Sequence, residues 1–291
     1  MKNSKYNLSK NRKQSIAFFL FSFFGYSVIA ILLLILGFIM ARGIGVISLD
    51  FLLGYPEEGM TKGGIFPAIV GTLCLVVGSM LFAIPVGLMS GIYISEYAGN
   101  NWLVKFIRIM TNTLSGVPSI VFGLFGMTLF VNTLEFGDSI LAGSLTLGLL
   151  VLPVIIRTTE EAMRAIPDSF RQGSLSLGAS RLQTIHRVTL PMALPNVITG
   201  VILSVGRVSG ETAPILFTAA AYFLPRLPHS VYDQVMALPY HLYVVSTSGT
   251  NIEASSSIAY GTALVLIFIV LFINIIANIL RSYFGKKVKT N

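Results

Sequence analysis

Arg207 and Glu211 stand four residues apart inside the apolar run NVITGVILSVGRVSGETAPILFTAA. On a helix that spacing puts both side chains on one face. A charge at mid-bilayer costs about 2.5–3.5 kcal/mol on insertion scales, so such charges pair with one another or line a water-filled path. Arg157, at the end of the preceding apolar run, supplies a second cation. Two readings are open at this point. The Arg–Glu pair could only fix helix packing, or Arg207 and Arg157 could face a path for an anion, with Glu211 orienting Arg207 and balancing its charge. The rigid donor fork of Arg suits oxyanions better than neutral cargo. No nucleophile–base arrangement is present, and His186, His229 and His241 are too scattered to suggest a metal site. An intramembrane enzyme is therefore not expected.

The polar segment from Arg157 to Pro191, RTTEEAMRAIPDSFRQGSLSLGASRLQTIHRVTLP, lies between two apolar runs and must sit in water at one membrane face. Glu160 and Glu161 open it and are expected to be solvated. Pro167 is placed to open a short helix, Gly178 to end it, and Ser180 with Gln183 to form a capping box for a second one. In that second helix Leu182, Ile185, Val188 and Thr189 recur at three- and four-residue spacing and are expected to share a stripe. Such a stripe could dock in a partner's groove or lie in the membrane interface. Pro191 and Pro195 are expected to bracket a short turn into the next span. Gly178, Val188, Leu190 and Pro191 fit the pattern G-x9-[I/V]-x-L-P, which resembles the EAA loop of ABC-importer permeases. Gln172, Gly173 and Ser174 stand where that loop has Glu-Ala-Ala. The resemblance implies docking on a separate ATPase subunit, and the chain carries no G-x-x-x-x-G-K-[ST] phosphate loop of its own.

Charged residues make up 11% of the chain and apolar ones 54%, against about 25% charged in a soluble domain. This is the composition of an integral membrane protein, all-α and polytopic. Six spans of roughly 20 residues are expected, near 16–40, 65–90, 107–134, 139–156, 196–221 and 257–280. The first is too long for a signal-peptide core and is expected to be retained. Placing the N-terminus in the cytoplasm puts sixteen of the Lys and Arg residues there, against Arg42, Lys62 and Arg226 outside. The C-terminus then lies in the cytoplasm too. The net charge of +8 is thus mainly topological bias, and no nucleic-acid partner is expected. Cys74 is the sole cysteine, so no disulfide within the chain is possible. The outer segment near 222–256 is expected to fold its Pro- and aromatic-rich part against the bundle, while the stretch STSGTNIEASSS looks mobile.

Four further stretches carry a more specific resemblance: GGIFPAIVGTL at 63–73, SGVPSIVFGLFG at 115–126, RTTEEAMRAIP at 157–167 and GRVSGETAPILFT at 206–218. They resemble phosphate ABC-transporter permeases of the PstA type, from about residue 63 to the C-terminus. The resemblance implies a type I importer permease (MetI-like) fold of six transmembrane helices with a cytoplasmic coupling helix. It divides the chain into an N-terminal tail, first span and external linker (1–62) and a permease core with five spans (63–291), whose coupling loop covers about 157–191. It implies a second permease of the PstC type, an ATPase dimer of the PstB type that binds ATP and Mg, and an external phosphate-binding protein of the PstS type. No cofactor is expected in this chain. Arg207, Glu211 and Arg157 map to the substrate pathway, and Gly178, Leu182, Ile185, Val188, Leu190 and Pro191 to ATPase coupling. The function implied is ATP-driven phosphate import across a prokaryotic cytoplasmic membrane. Import of another oxyanion, sulfate or molybdate, and a phosphate-sensing regulatory role are the alternatives.

Overall fold

The computed structural model describes residues 2–99, 102–248 and 252–290, with the side chains of 14–99, 102, 104–248 and 255–283. The terminal charges counted at Lys2, Lys5, Lys10, Arg12, Lys13, Lys286, Lys287 and Lys289 lie outside the described side chains. Twelve α-helices follow in order among the described residues: α1 Lys2–Gly43, α2 Leu49–Leu53, α3 Phe66–Ile92, α4 Trp102–Ser115, α5 Ser119–Gly126, α6 Ile140–Arg164, α7 Asp168–Ser176, α8 Arg181–Thr184, α9 Leu190–Gly210, α10 Ala213–Leu216, α11 Leu238–Ser248 and α12 Ile252–Thr290. Three π-helical stretches extend them: Tyr93–Tyr97 after α3, Met127–Thr133 after α5, and Ile185–Thr189 joining α8 to α9. Among the described residues five helical runs are long and apolar enough to cross a membrane, and a sixth if a bent pair is taken as one.

That bent pair takes the place of the single third span expected near 107–134, with the break at the Pro118 kink its sequence suggests. Val104–Ser115 and Ser119–Thr133 meet at 105°. Pro118 has no N–H to offer a helix and disfavours helical geometry at Val117, so the chain turns there. The fourth span also runs further than expected, because α6 stays helical through the TTEEA stretch to Arg164.

The core is built on the seam between α3 and α6. Gly87 and Gly91, one helical turn apart, let the backbones approach. A Cβ at Gly87 would lie 2.6 Å from Ile155 Cγ2, and one at Gly91 would lie 2.6 Å from Thr159 Cβ and 2.8 Å from the Ile156 carbonyl. Gly91→Leu is therefore expected to overpack this seam by about 1–3 kcal/mol. A clear drop in thermal stability of the purified protein is the expected reading, and an unchanged melting temperature would show that the seam can part.

The segment after α9 is core rather than loop. Its carbonyls at Thr218, Asp233 and Val231 accept from the backbone N–H groups of Ser139, Ile140 and Leu141, all at 2.9 Å. Together with the Ser139 side chain, which accepts from Ala142 N, they satisfy donors that the start of α6 would otherwise leave free. Leu238 N donates to Thr72 Oγ1 at 2.8 Å, tying α11 to α3. Val235, Met236, Ala237 and Leu238 are buried, as the Pro- and aromatic-rich composition predicts. The centre of the Ser/Thr stretch expected to be mobile, 249–251, lies outside the described residues. Residues 246–248 close α11 and 252–257 open α12.

Candidate translocation residues and coupling platform

Of the expected features, the platform between α6 and α9 matches the structure most closely at its corners. Pro167 caps α7 at φ −57°, ψ 139°. Gly178 takes φ +84°, a left-handed conformation that costs a side-chain-bearing residue about 1–2 kcal/mol. Both bonds of the capping box form: Ser180 Oγ accepts from Gln183 N at 3.3 Å, and Gln183 Oε1 accepts from Ser180 N at 2.8 Å. The hydroxyls of Ser174 and Thr184, 2.9 Å apart, hold the two short helices together.

Two platform expectations are corrected. No turn separates α8 from α9. Arg181–Gly210 is one 30-residue helical run, with Pro191 in the first turn of α9, where a missing N–H is tolerated, and Pro195 one turn later. The wide turn Ile185–Thr189 absorbs the register change, and the apolar stripe divides just ahead of it, between Leu182 and Ile185. Ile185 and Thr189 turn inward and are buried, with Ile185 packed among Ala162, Met163, Ile166, Ala193 and Val197. Val188 and Leu190 are half-buried. Leu182 points outward at 67% exposure, and Leu177, beside Gly178, reaches 90%. The most exposed apolar side chains of the platform are therefore Leu177 and Leu182, ahead of Phe170 and Leu175.

Arg207 and Glu211 do form an ion pair, Nε to Oε1 at 3.2 Å, with side-chain exposures of 38% and 18%. The helix that carries them is shorter than the span expected near 196–221. Helix α9 stops at Gly210, and Glu211 is already extended at φ −75°, ψ 126°. Gly210 and Pro214 together disfavour continuation, so Arg207 occupies the last turn of the run. There its charge also meets the negative end of the helix dipole.

Arg157 lies elsewhere. Its Nε donates to Glu161 at 2.8 Å and its Nη1 to Asn112 at 3.4 Å. A Cβ at Gly200 would press on the Thr158 side chain, so those two residues are level. Arg207 is seven residues beyond Gly200, or about 10 Å further along the axis at 1.5 Å per residue. The two arginines are stacked along the bundle, not joined in one cradle.

Composition gave no sign of what surrounds Arg157. Glu160, expected in solvent, is buried and receives Arg108 Nε at 2.8 Å and Arg164 Nη2 at 3.2 Å. Arg108, Asn112, Arg157, Glu160, Glu161 and Arg164 line one cleft of about 210 Å³. Its three cations and two carboxylates leave a net positive charge. Only the i,i+4 pairs within α6 were legible in sequence, because Arg108 reaches Glu160 across 52 residues.

These features define a polytopic helical membrane protein with paired charges at two levels of the bundle and a capped helical platform at one end. Residues 83–290 match the family described as binding-protein-dependent transport system inner membrane component, and the chain belongs to that family. It is 36% identical over 276 residues to the probable ABC transporter permease protein YqgI of Bacillus subtilis strain 168, covering 91% of this chain and 93% of that one. It is 40% identical over 228 residues to the phosphate transport system permease protein PstA of Mycobacterium leprae, covering 78% and 72%. With the PstA protein of Pasteurella multocida it shares 30% over 280 residues, 96% of each chain. Among solved structures it superposes on the MetNI methionine ABC transporter in an inward-facing conformation, with a TM-score of 0.56 at 17% identity over 76% of this chain and 94% of that one. A bacterial ABC transporter that imports the acidic polysaccharide alginate gives a TM-score of 0.58 at 17% identity, over 84% and 88%. At such identities these two likenesses concern the fold alone, and that fold is the MetI-type importer permease.

Proposed function

We propose that this chain is a permease subunit of an ATP-driven importer that moves inorganic phosphate inward by alternating access. The observation that carries the substrate is the identity of 30–40% to phosphate transport permeases over most of the chain. Arginine side chains at two levels of the bundle agree with an oxyanion cargo. Arg207 and then Arg157 serve as successive weak stations, each held by a carboxylate that keeps the anion from being trapped. The basic face is cytoplasmic, with both termini on it. The partners are a second permease of the PstC type, a PstB-type ATPase dimer that binds ATP and Mg, and a PstS-type external receptor.

The test is radiolabelled phosphate uptake into proteoliposomes holding the chain with its co-expressed partners, ATP on the ATPase side, and unlabelled sulfate or molybdate as competitors. ATP-dependent uptake indifferent to both competitors is expected. Full displacement by either would replace the substrate, and undiminished uptake by a complex lacking this chain would leave it a regulatory role. Leu177→Asp with Leu182→Asp is expected to weaken retention of the ATPase about thirtyfold per site, since each leucine buries about 2 kcal/mol of apolar surface on docking. Pull-down at graded salt and detergent reads this directly, and full retention would move the docking surface elsewhere.

A further inference from the structure

Arg171 looks in sequence like one more solvated basic residue of the polar segment. In the structure it is 18% exposed and faces Glu96, which is 7% exposed and 75 residues away at the end of the α3 run. Every N–H of the guanidinium is used. Nε donates to both Glu96 oxygens at 3.2 and 3.3 Å. Nη2 donates to Glu96 Oε1 at 2.8 Å and to the Met163 carbonyl at 2.7 Å. Nη1 donates to the Ile166 carbonyl at 2.6 Å and to Asp168 Oδ1 at 3.1 Å. These hydrogen bonds, those to Glu96 foremost, raise the guanidinium pKa above its already high value. One side chain on α7 is thus fastened to the end of the α3 run and to the corner where α6 ends. Arg181, on α8, adds a second tie by lying over the Tyr97 ring at 5.8 Å.

We propose that Arg171 is a positioning residue for energy coupling: it transmits displacement of the α7–α8 platform to the ends of α3 and α6 together. This rests on the reading that the platform receives the ATPase. A displacement is passed on only through contacts that hold under load. A fork bonded to a carboxylate and two main-chain carbonyls at once resists both translation and rotation, which a single ammonium group does not. The α8–α9 continuity already connects the platform to the Arg207 helix. Arg171 would connect the same platform to the two helices that form the core seam, so that the bundle moves as a set.

The test uses the whole complex. Arg171→Met, Arg171→Lys and Glu96→Gln forms are purified with their partner subunits and reconstituted, and phosphate uptake is measured per ATP hydrolysed. The expected result is full retention of the ATPase with uptake per ATP reduced about tenfold in Arg171→Met and Glu96→Gln, a usual size for coupling between sites. Arg171→Lys should show a smaller loss. If Arg171→Met does not assemble, the double variant Arg171→Gln with Glu96→Gln leaves no unmatched buried charge and carries the same expectation. Normal uptake per ATP in an assembled Arg171→Met or double variant would overturn the proposal, since a purely structural contact changes yield and not coupling. Loss of the ATPase from the charge-balanced double variant would overturn it too, by making Arg171 part of the docking surface. If the unmodified complex takes up no phosphate, the substrate assignment falls instead. The readout then becomes ATP hydrolysis stimulated by the loaded external receptor, with the same tenfold loss expected.

Discussion

Replacing Arg207 by Ala is expected to reduce phosphate uptake about a hundredfold while the complex still assembles. Two hydrogen bonds from a guanidinium to an anion contribute about 3 kcal/mol together, which is two decades in affinity or rate. The variant also leaves Glu211, largely enclosed, as an unopposed negative charge that repels the cargo. Arg207→Lys keeps the charge without the fork and should lose about tenfold. The decisive comparison is Arg207→Ala with Glu211→Ala. If the pair only fixes packing, removing both charges relieves the unpaired carboxylate and returns uptake toward normal. If Arg207 handles the anion, uptake stays lost and the complex is merely more stable. Uptake assays run beside thermal melts of the same preparations separate the two.

Gly178→Val is expected to be the most damaging single change in the platform. The space around Gly178 is open, with nothing within 4 Å of a built Cβ, so bulk is not the reason. The reason is φ +84°, which a β-branched residue is strongly disfavoured from adopting. The corner must then re-form, carrying Leu177 away from Leu182 and breaking the capping box. A loss of tenfold or more in ATPase co-purification should follow, since about 1.4 kcal/mol is one decade. Gly178→Asn, which tolerates the left-handed region, should retain docking. If Val and Asn variants behaved alike, the corner's conformation would not matter to the partner.

These two sites show which information sequence carries. The platform corner was legible because its determinants are local: a proline before the helix, a glycine after it, and a serine three residues ahead of a glutamine. The helix count was legible for the same reason, from runs of apolar residues. What sequence did not place was where helices break and which way each side chain faces. The GRVSGETAP stretch reads as the interior of one helix because its neighbours are apolar, yet α9 ends at Gly210 and leaves Arg207 in its last turn. A kink at Pro118 was legible, but not its size of 105°, because the hydropathy profile runs straight through it. Leu182 and Ile185 share a stripe by α-helical spacing, yet only Ile185 faces the bundle and is buried, while Leu182 is left exposed. The Glu160–Arg108 and Glu96–Arg171 contacts join residues 52 and 75 positions apart, and only the folded chain brings them together.

The unbroken helix from Arg181 to Gly210 also has a consequence for scale. Thirty residues at 1.5 Å each form a rod of about 45 Å, with Leu182 at one end and Arg207 near the other. Pivoting such a rod by about 10° at its docked end sweeps the far end through about 8 Å. That exceeds the width of a phosphate ion, so a modest rocking of the ATPase pair would carry the Arg207 guanidinium from one side of the ion to the other. On the proposed docking of the ATPase at the platform, the helix would be a lever whose length converts a small angular stroke into a change of access.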